Sequence, residues 1–219
     1  MNTVITSFRT EQETFWAGDF GDDYISRNED LPEWLSAQLF FFARALEKMR
    51  PAPASLCELG ANIGLNLRAL KLLFPQAQQT CVEINAKAVE RLRRDGVGDE
   101  VVHDSILNFT PTRRHDLVLI KGVMIHMNPE VLPEIYRKLA DCSARYVLIA
   151  EYYNRRAEQI SYRNHDGRLF RRDFGGEFMD ACPEFTLADY GFSYHRDPRE
   201  QQDDITWFLF ERRVQPVRV

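Results

Sequence analysis

The stretch Leu56-Cys57-Glu58-Leu59-Gly60-Ala61-Asn62-Ile63-Gly64-Leu65-Asn66 decides how this chain is read. It has the pattern of a short buried strand, a glycine turn and the start of a helix. Two glycines spaced Gly-x-x-x-Gly let a backbone turn where a side chain would collide. In an open α/β sheet, ligands bind at such a turn, beyond the carboxyl end of the strand. Glu83 ends the next apolar run, Thr80-Cys81-Val82-Glu83. It lies about 20 residues past the turn, the spacing at which a nucleotide-binding carboxylate meets ribose hydroxyls. A dinucleotide fingerprint fits poorly, because Asn62 stands where the middle glycine belongs. Asn does tolerate left-handed backbone better than most residues.

Outward from the turn, strands and helices alternate. Upstream, residues 31–50 read as a helix with Pro32 in its first turn. Leu35, Leu39, Phe42, Leu46 and Met49 form its apolar stripe, and Pro51 and Pro53 stop it. That stripe reads as core. Downstream come a helix from Leu65 to Phe74, a strand over 79–84, and a helix from Ala86 to Arg94 capped by Asn85. A short strand follows near Glu100 to His103, then the apolar strand Asp116 to Ile120, a helix from Pro129 to Cys142, and the strand Tyr146 to Ala150. Apolar runs bounded by polar residues suit parallel strands covered on both faces. Residues 151–183 break the rhythm, with one helix near Gly176 to Ala181. Phe185 to His195 and Ile205 to Arg212 then read as a closing hairpin.

Glu58, two residues before Gly60, extends the turn to Glu-x-Gly-x-x-x-Gly. This resembles motif I of class I S-adenosylmethionine-dependent methyltransferases, whose usual form is Glu/Asp-x-Gly-x-Gly-x-Gly. Longer phrases, T-E-Q-E-x-F-W-A-G-D-F-G-D-D-Y (10–24), E-L-G-A-N-I-G-L-N (58–66), K-G-V-M-I-H (121–126), E-Y-Y-N (151–154) and R-L-F-R-R-D-F (168–174), resemble the pseudaminic acid biosynthesis-associated methyltransferase family. The resemblance implies an α/β, Rossmann-like, doubly wound seven-stranded sheet, mostly parallel, with an antiparallel strand in the C-terminal hairpin. It implies S-adenosylmethionine as cofactor, its methionine end on Glu58, Gly60, Asn62 and Gly64, its ribose on Glu83, and its adenine beside Asp104 and Ser105. Lys121 and Gly122, after the central strand, line the wall between cofactor and substrate. An acidic sugar of the nonulosonic class is the acceptor that the family name suggests.

The remaining candidates come from residue chemistry. His126 is a candidate general base, because imidazole titrates near neutrality. Tyr152 is a second candidate for taking or orienting the acceptor proton. Six arginines fall within 155–172 of an acidic chain, interleaved with Tyr153, Asn154, Tyr162, Asn164 and His165. Arginine forks bind carboxylates and phosphates, so Tyr153, Asn154, Arg163, Arg168 and Arg171 are candidate substrate contacts, and the small-molecule substrate is expected to be anionic. His195, in the turn of the final hairpin, is another. Residues 9–30 alternate aromatics and acids around two glycines, with Thr10-x-x-Glu13 as a capping box. They read as a flap, with Trp16 and Tyr24 toward substrate, or as an arm packed on the core.

The chain of 219 residues, with formal net charge -5, suits one globular unit: an N-terminal flap and helix over 1–54 packed on a methyltransferase domain over 55–219, with a substrate-binding insertion over 151–183. The acidic balance argues against general nucleic-acid binding. Cys57, Cys81, Cys142 and Cys182 lack metal-like spacing and read as buried thiols of a reducing, cytoplasmic setting. No metal and no membrane contact are expected, and the oligomeric state is left open. The leading expectation is methyl transfer to an oxygen or nitrogen of a small anionic metabolite. The alternatives are an amino acid or amine methyltransferase, an NAD-dependent sugar oxidoreductase, and a non-catalytic nucleoside-binding protein.

Overall fold

A computed structural model describes residues 7–27, 32–163, 165–199 and 202–213. Its centre is a seven-stranded sheet. The strands are β1 (Ser55–Leu59), β2 (Gln78–Glu83), β3 (Glu100–His103), β4 (His115–Lys121), β5 (Ser143–Glu151), β8 (Phe185–Ser193) and β9 (Ile205–Arg212), in the spatial order β3-β2-β1-β4-β5-β9-β8. The first five pair in parallel, and β9 runs antiparallel to both its neighbours. The expected architecture is thus present, closing hairpin included.

Alternate residues of the central strands feed two cores. Leu117, Leu119 and Leu148 face one layer with Phe41, Phe42, Leu67, Leu70 and Leu92. These come from α3 (Pro32–Ala45), α4 (Leu65–Leu73) and α5 (Ala86–Arg94). Val118, Ile120, Val147 and Ile149 face the other layer with Ile135, Leu139, Phe174 and Phe178. These belong to α6 (Leu132–Cys142) and α7 (Phe174–Ala181). Burial on both faces explains why β4 and β5 are continuous apolar runs rather than alternating ones. The four cysteines are free and buried. No helix among the described residues is long and apolar enough to cross a membrane.

Three elements differ from the sequence reading. Helix α3 stops at Ala45 and gives way to a turn, short of residue 50. The 151–183 segment holds a separate two-stranded sheet, β6 (Glu158–Tyr162) with β7 (His165–Arg171). Its strand Glu-Gln-Ile-Ser-Tyr is mostly exposed and carries no strong apolar alternation. The N-terminal stretch forms α1 (Glu11–Ala17) and α2 (Asp19–Arg27), separated by Gly18. Thr10 and Glu13 make the reciprocal capping box that opens α1. Asn85 ties this pair to the sheet: its Nδ2 donates to the Trp16 carbonyl at 3.3 Å and to Asp22 Oδ1 at 2.9 Å.

Candidate active site

A cavity of about 1140 Å³ opens at the carboxyl ends of β1, β2, β4 and β5, with α1 and α2 on one side of its wall. The glycine turn forms its floor. Gly60 has φ +82° and Asn62 has φ +47°, both left-handed. A Cβ on Gly60 would sit 2.6 Å from Val123 Cγ2, so the turn and the loop after β4 pack together only with glycine there. The left-handed Asn62 turns its backbone N–H onto Glu83 Oε2 at 2.7 Å. Asn85 N donates to Glu83 Oε1, also at 2.7 Å. Burial raises the Glu83 pKa and these N–H groups oppose that shift. A carboxylate with spare lone pairs therefore stands on the cavity wall, its orientation set by backbone.

Three residues expected at the cofactor do not line this cavity. Gly64 serves packing: a Cβ there would lie 2.5 Å from Val97 Cγ1 and 2.7 Å from Leu92 Cδ2. Glu58 is fully buried. Its Oε1 accepts from Asn66 Nδ2 at 2.6 Å, its Oε2 has no partner, and desolvation pushes its pKa up to about 8. Asp104 turns back on the chain, accepting from Ser105 N at 2.8 Å. The wall runs instead through Ser105, Ile106 and Leu107. The Ser105 hydroxyl donates to the Glu13 carboxylate, so α1 reaches the far end of the cavity. Sequence reading saw Glu13 only as a cap.

Lys121 and Gly122 lie on the wall, with Lys121 Nζ 5.2 Å from the Phe41 ring centre. The loop beyond them is pinned by Glu151, the last residue of β5. Its carboxylate accepts from the backbone N–H of Val123, Met124 and Ile125 at 3.0, 2.9 and 3.4 Å. Burial pushes Glu151 up to about 7, against the pull of those donors. This contact shapes the 3-10 turn Met124–His126 and so places His126.

The His126 ring lies 4.7 Å from that of Trp16 and 4.8 Å from that of Tyr162. Its Nδ1 is 2.6 Å from the Arg168 carbonyl oxygen, which only accepts. Nδ1 therefore carries the proton, and Nε2 presents a lone pair on a cavity-lining residue. Burial holds the imidazole down at about 4. Tyr152 also lines the cavity, but its hydroxyl donates to Asp203 Oδ2 at 2.5 Å. Desolvation, then Asp203, raises its pKa. Tyr152 therefore keeps its proton at neutral pH and directs it at Asp203, so of the two roles the sequence allowed, taking or orienting the acceptor proton, the raised pKa counts against the first.

The arginine-rich segment divides. Arg168 pairs with Glu11 at 3.3 Å and covers the Phe15 ring, while Arg171 lies over the ring of the wall residue Tyr152. Neither lines the cavity, nor do Tyr153, which is exposed near Phe208, and Asn154, which donates to Glu158 at 3.0 Å. Asn164 falls outside the described residues. Trp16, Tyr24, Arg163 and His195 do reach the wall. His195 donates from its backbone and from Nδ1 to Asp204 at 3.0 and 2.9 Å. Arg196, Trp34 and Gln38 join them. Trp34 and Gln38 sit one turn apart on α3, and a glutamine inside an apolar stripe was the available signal.

No protein-family model matches the sequence, so the resemblance to the pseudaminic acid-associated family finds no support there. No curated protein matches it either. Solved structures do match. Magnesium protoporphyrin IX methyltransferase from Synechocystis PCC 6803, with bound S-adenosylmethionine, has 12% identity and a TM-score of 0.67, over 95% of this chain and 100% of that one. The 1,6-didemethyltoxoflavin-N1-methyltransferase of Burkholderia thailandensis, with its substrate and S-adenosylhomocysteine, has 15% identity and a TM-score of 0.66, over 95% and 93% of the two chains. A Leishmania major S-adenosylmethionine-dependent methyltransferase has 14% identity and a TM-score of 0.67, over 91% and 81%. The fold is that of the class I methyltransferases. On this class I methyltransferase fold, the cavity occupies the crevice beyond the strand ends where doubly wound sheets take ligands.

Proposed function

We propose that this chain is an S-adenosylmethionine-dependent methyltransferase that acts on an oxygen or nitrogen of a small, negatively charged acceptor. The observation that carries the reading is the Glu83 carboxylate, held on the cavity wall by the N–H groups of Asn62 and Asn85 beside the left-handed Gly60 turn. The cavity, about 1140 Å³, exceeds the range of about 300–1,000 Å³ usual for a single ligand and has room for cofactor and acceptor together.

The residues present fit the cofactor. When bound, S-adenosylmethionine supplies an electrophilic methyl group on a cationic sulfur. Gly60 and Asn62 would offer bare backbone to it, Glu83 would accept from the ribose hydroxyls, and the wall from Ser105 to Leu107 would flank the base. Gly122 and His126 stand on the loop after β4, between this half and the rest of the cavity. His126 Nε2 would take the acceptor proton. Its weak basicity suffices, because an oxygen or nitrogen becomes strongly acidic once it has given its electron pair to carbon. The same weak basicity keeps Nε2 unprotonated throughout the physiological range. Arg163 and Arg196 lie on the wall without a carboxylate partner among the described residues, and they would hold the acceptor's negative group. A nonulosonic acid or related sugar meets that description, and so does an amino acid bound through its carboxylate.

Calorimetric titration with S-adenosylhomocysteine, with NAD and NADP in parallel, tests the cofactor reading. Binding of the first alone supports it. Binding of a dinucleotide alone overturns it. Labelled methyl donor then identifies acceptors among sugar acids and amino acids.

A further inference from the structure

Helix α1 brings a carboxylate to the β3 end of the cavity. Glu13 is 5% exposed and lines the cavity beside Ser105, Ile106 and Leu107. The groups bonded to its side chain all donate. Arg9 N at 2.7 Å, Thr10 N at 2.8 Å and the Thr10 hydroxyl at 3.1 Å reach Oε2, and the Ser105 hydroxyl reaches Oε1. The two oxygens are thus unequally loaded. Oε2 serves the capping box with three donors. Oε1 takes one hydroxyl, and a carboxylate oxygen has two lone pairs. One acceptor position remains at this end of the cavity.

The order of the sheet says what that position meets. S-adenosylmethionine runs from methionine through ribose to base. With its methionine end on the β1 turn and its ribose on Glu83 at the end of β2, the base falls at the end of β3, because the strands lie in the order β3-β2-β1. Each step is about 4.8 Å, close to the offset between a ribose and its base. The edge of adenine carries an amino group that needs an acceptor. Ile106 and Leu107 offer apolar side chains to the ring faces. Two nearby carbonyls are engaged: Ser105 O accepts from Asn108 N and Phe109 N at 3.1 and 2.8 Å, and Leu107 O accepts from Lys138 Nζ at 2.8 Å. Asp104 is turned onto Ser105 N and does not line the cavity. Of the other carboxylates on the wall, among the described residues, Glu83 stands at the ribose, and Asp197 and Asp203 precede β9, beyond β1, β4 and β5.

We propose that Glu13 Oε1 accepts a hydrogen bond from the adenine amino group, so that α1, a helix outside the sheet, selects the base of the cofactor. This rests on the reading of the cavity as an S-adenosylmethionine site and adds a binding residue to it. The capping box allows the role of a single atom to be tested. In Glu13→Gln the amide oxygen belongs with the three donors at the cap, because an NH2 there would face N–H groups. The amide NH2 then stands in the place of Oε1. It can donate to the Ser105 hydroxyl, whose oxygen has two lone pairs and gives only one to Leu107 N. The helix keeps its cap, and the acceptor at the base becomes a donor. Hypoxanthine, with a carbonyl where adenine has its amino group, then matches the variant.

Calorimetry on the full-length protein compares S-adenosylhomocysteine with S-inosylhomocysteine, in which a carbonyl replaces the amino group. Wild type is expected to bind the adenine compound at least about tenfold more tightly, since the inosine compound loses a hydrogen bond to a charged group and sets two acceptors against each other. Glu13→Gln is expected to bring the two affinities within about threefold of each other or to reverse their order. Equal binding of both compounds by wild type would overturn the proposal. So would a variant in which both weaken by the same factor, which would make Glu13 a structural residue. Should Glu13→Gln fail to fold, Glu13→Asp asks the same question: it keeps the carboxylate, draws it back by one methylene, and is expected to cut the preference to about threefold. An intact preference there would overturn the proposal. Ser105→Ala leaves Oε1 an acceptor and is expected to retain the wild-type preference. Its loss in Ser105→Ala would assign the base to the serine hydroxyl and overturn the role of Glu13. Failure of wild type to bind S-adenosylhomocysteine at all is a separate result, which overturns the cofactor reading and this proposal with it.

Discussion

Glu58→Gln should stabilise this protein, and more so as the pH rises. The carboxyl is fully buried, one oxygen accepts from Asn66, and the other has no partner. Desolvation lifts its pKa from 4.5 to about 8. The sign follows from proton linkage. Between those two values the unfolded chain has lost the proton and the folded chain keeps it, so stability falls as pH rises. Each pH unit is worth about 1.4 kcal/mol in that window. From pH 5.5 to 7.5, allowing for partial titration at both ends, wild type loses about 2.5 kcal/mol through this one group. Glutamine has the shape of the protonated acid, can still accept from Asn66, and does not titrate. The stability difference between variant and wild type should therefore widen by about 2.5 kcal/mol over that range. Glu151, pushed up to about 7, and His126, held down at about 4, also titrate, but they are common to both proteins and cancel in the difference. Urea unfolding at pH 5.5, 6.5 and 7.5 measures this directly. Parallel stability curves for the two proteins would refute the burial argument.

The other expectations concern the site. Glu83→Ala should weaken S-adenosylhomocysteine binding by at least about 100-fold in calorimetry, the value of two hydrogen bonds to a charged group. Gly60→Val should abolish that binding, and Gly60→Ala should recover part of its lost stability when Val123 is also cut to alanine, because Val123 Cγ2 is the atom the new Cβ meets. His126→Gln should lower kcat by about 10² to 10⁴-fold. In wild type, kcat/KM should fall only as the pH drops through about 4, where Nε2 takes a proton, and an inflection at the ordinary histidine value would contradict the buried, Arg168-bonded ring. Arg163→Ala and Arg196→Ala should each raise acceptor KM by about tenfold with cofactor affinity unchanged. Arg171→Ala should leave acceptor KM near wild type, because its side chain lies off the cavity wall.

The fold was legible because its signals are local. Leu56 to Asn66 states strand, turn and helix within eleven consecutive residues, and the apolar runs of β4 and β5 need burial on both faces wherever they stand. Asn85, Thr10 and Glu13 cap helices through partners only a few residues away. The β6–β7 hairpin escaped because its strands are half exposed and polar, so no period of two stands out. Of the cavity wall, the sequence pointed most directly to residues placed by local backbone or by a strand end, such as Gly60, Asn62 and Glu83. Arg168 and Arg171 lie off the cavity wall, because a run of arginines says nothing about direction. Alternate residues of β7 face opposite ways, and Glu11 on α1, far away in sequence, takes the Arg168 guanidinium.

That long-range pairing also sets the tautomer of His126, the proposed base. The atom bonded to its ring is the Arg168 carbonyl oxygen, on the hairpin. The hairpin is joined to α1 through Gln12 Nε2 on the Gly167 carbonyl at 3.0 Å and through Arg168 on Glu11. Trp16, on α1, and Tyr162, on β6, then contact the imidazole. The seven-stranded sheet supplies the loop that carries His126, but the segments outside that sheet decide which nitrogen bears the proton and dry the ring enough to hold it neutral. Two parts of the chain that the strand–helix alternation does not need are therefore the parts that hold the His126 ring, the proposed proton acceptor. Weakening the Arg168–Glu11 pair by Arg168→Ala should act on kcat through the orientation of His126 before it acts on acceptor KM. A rise in KM with kcat unchanged would show instead that Arg168 holds the substrate itself.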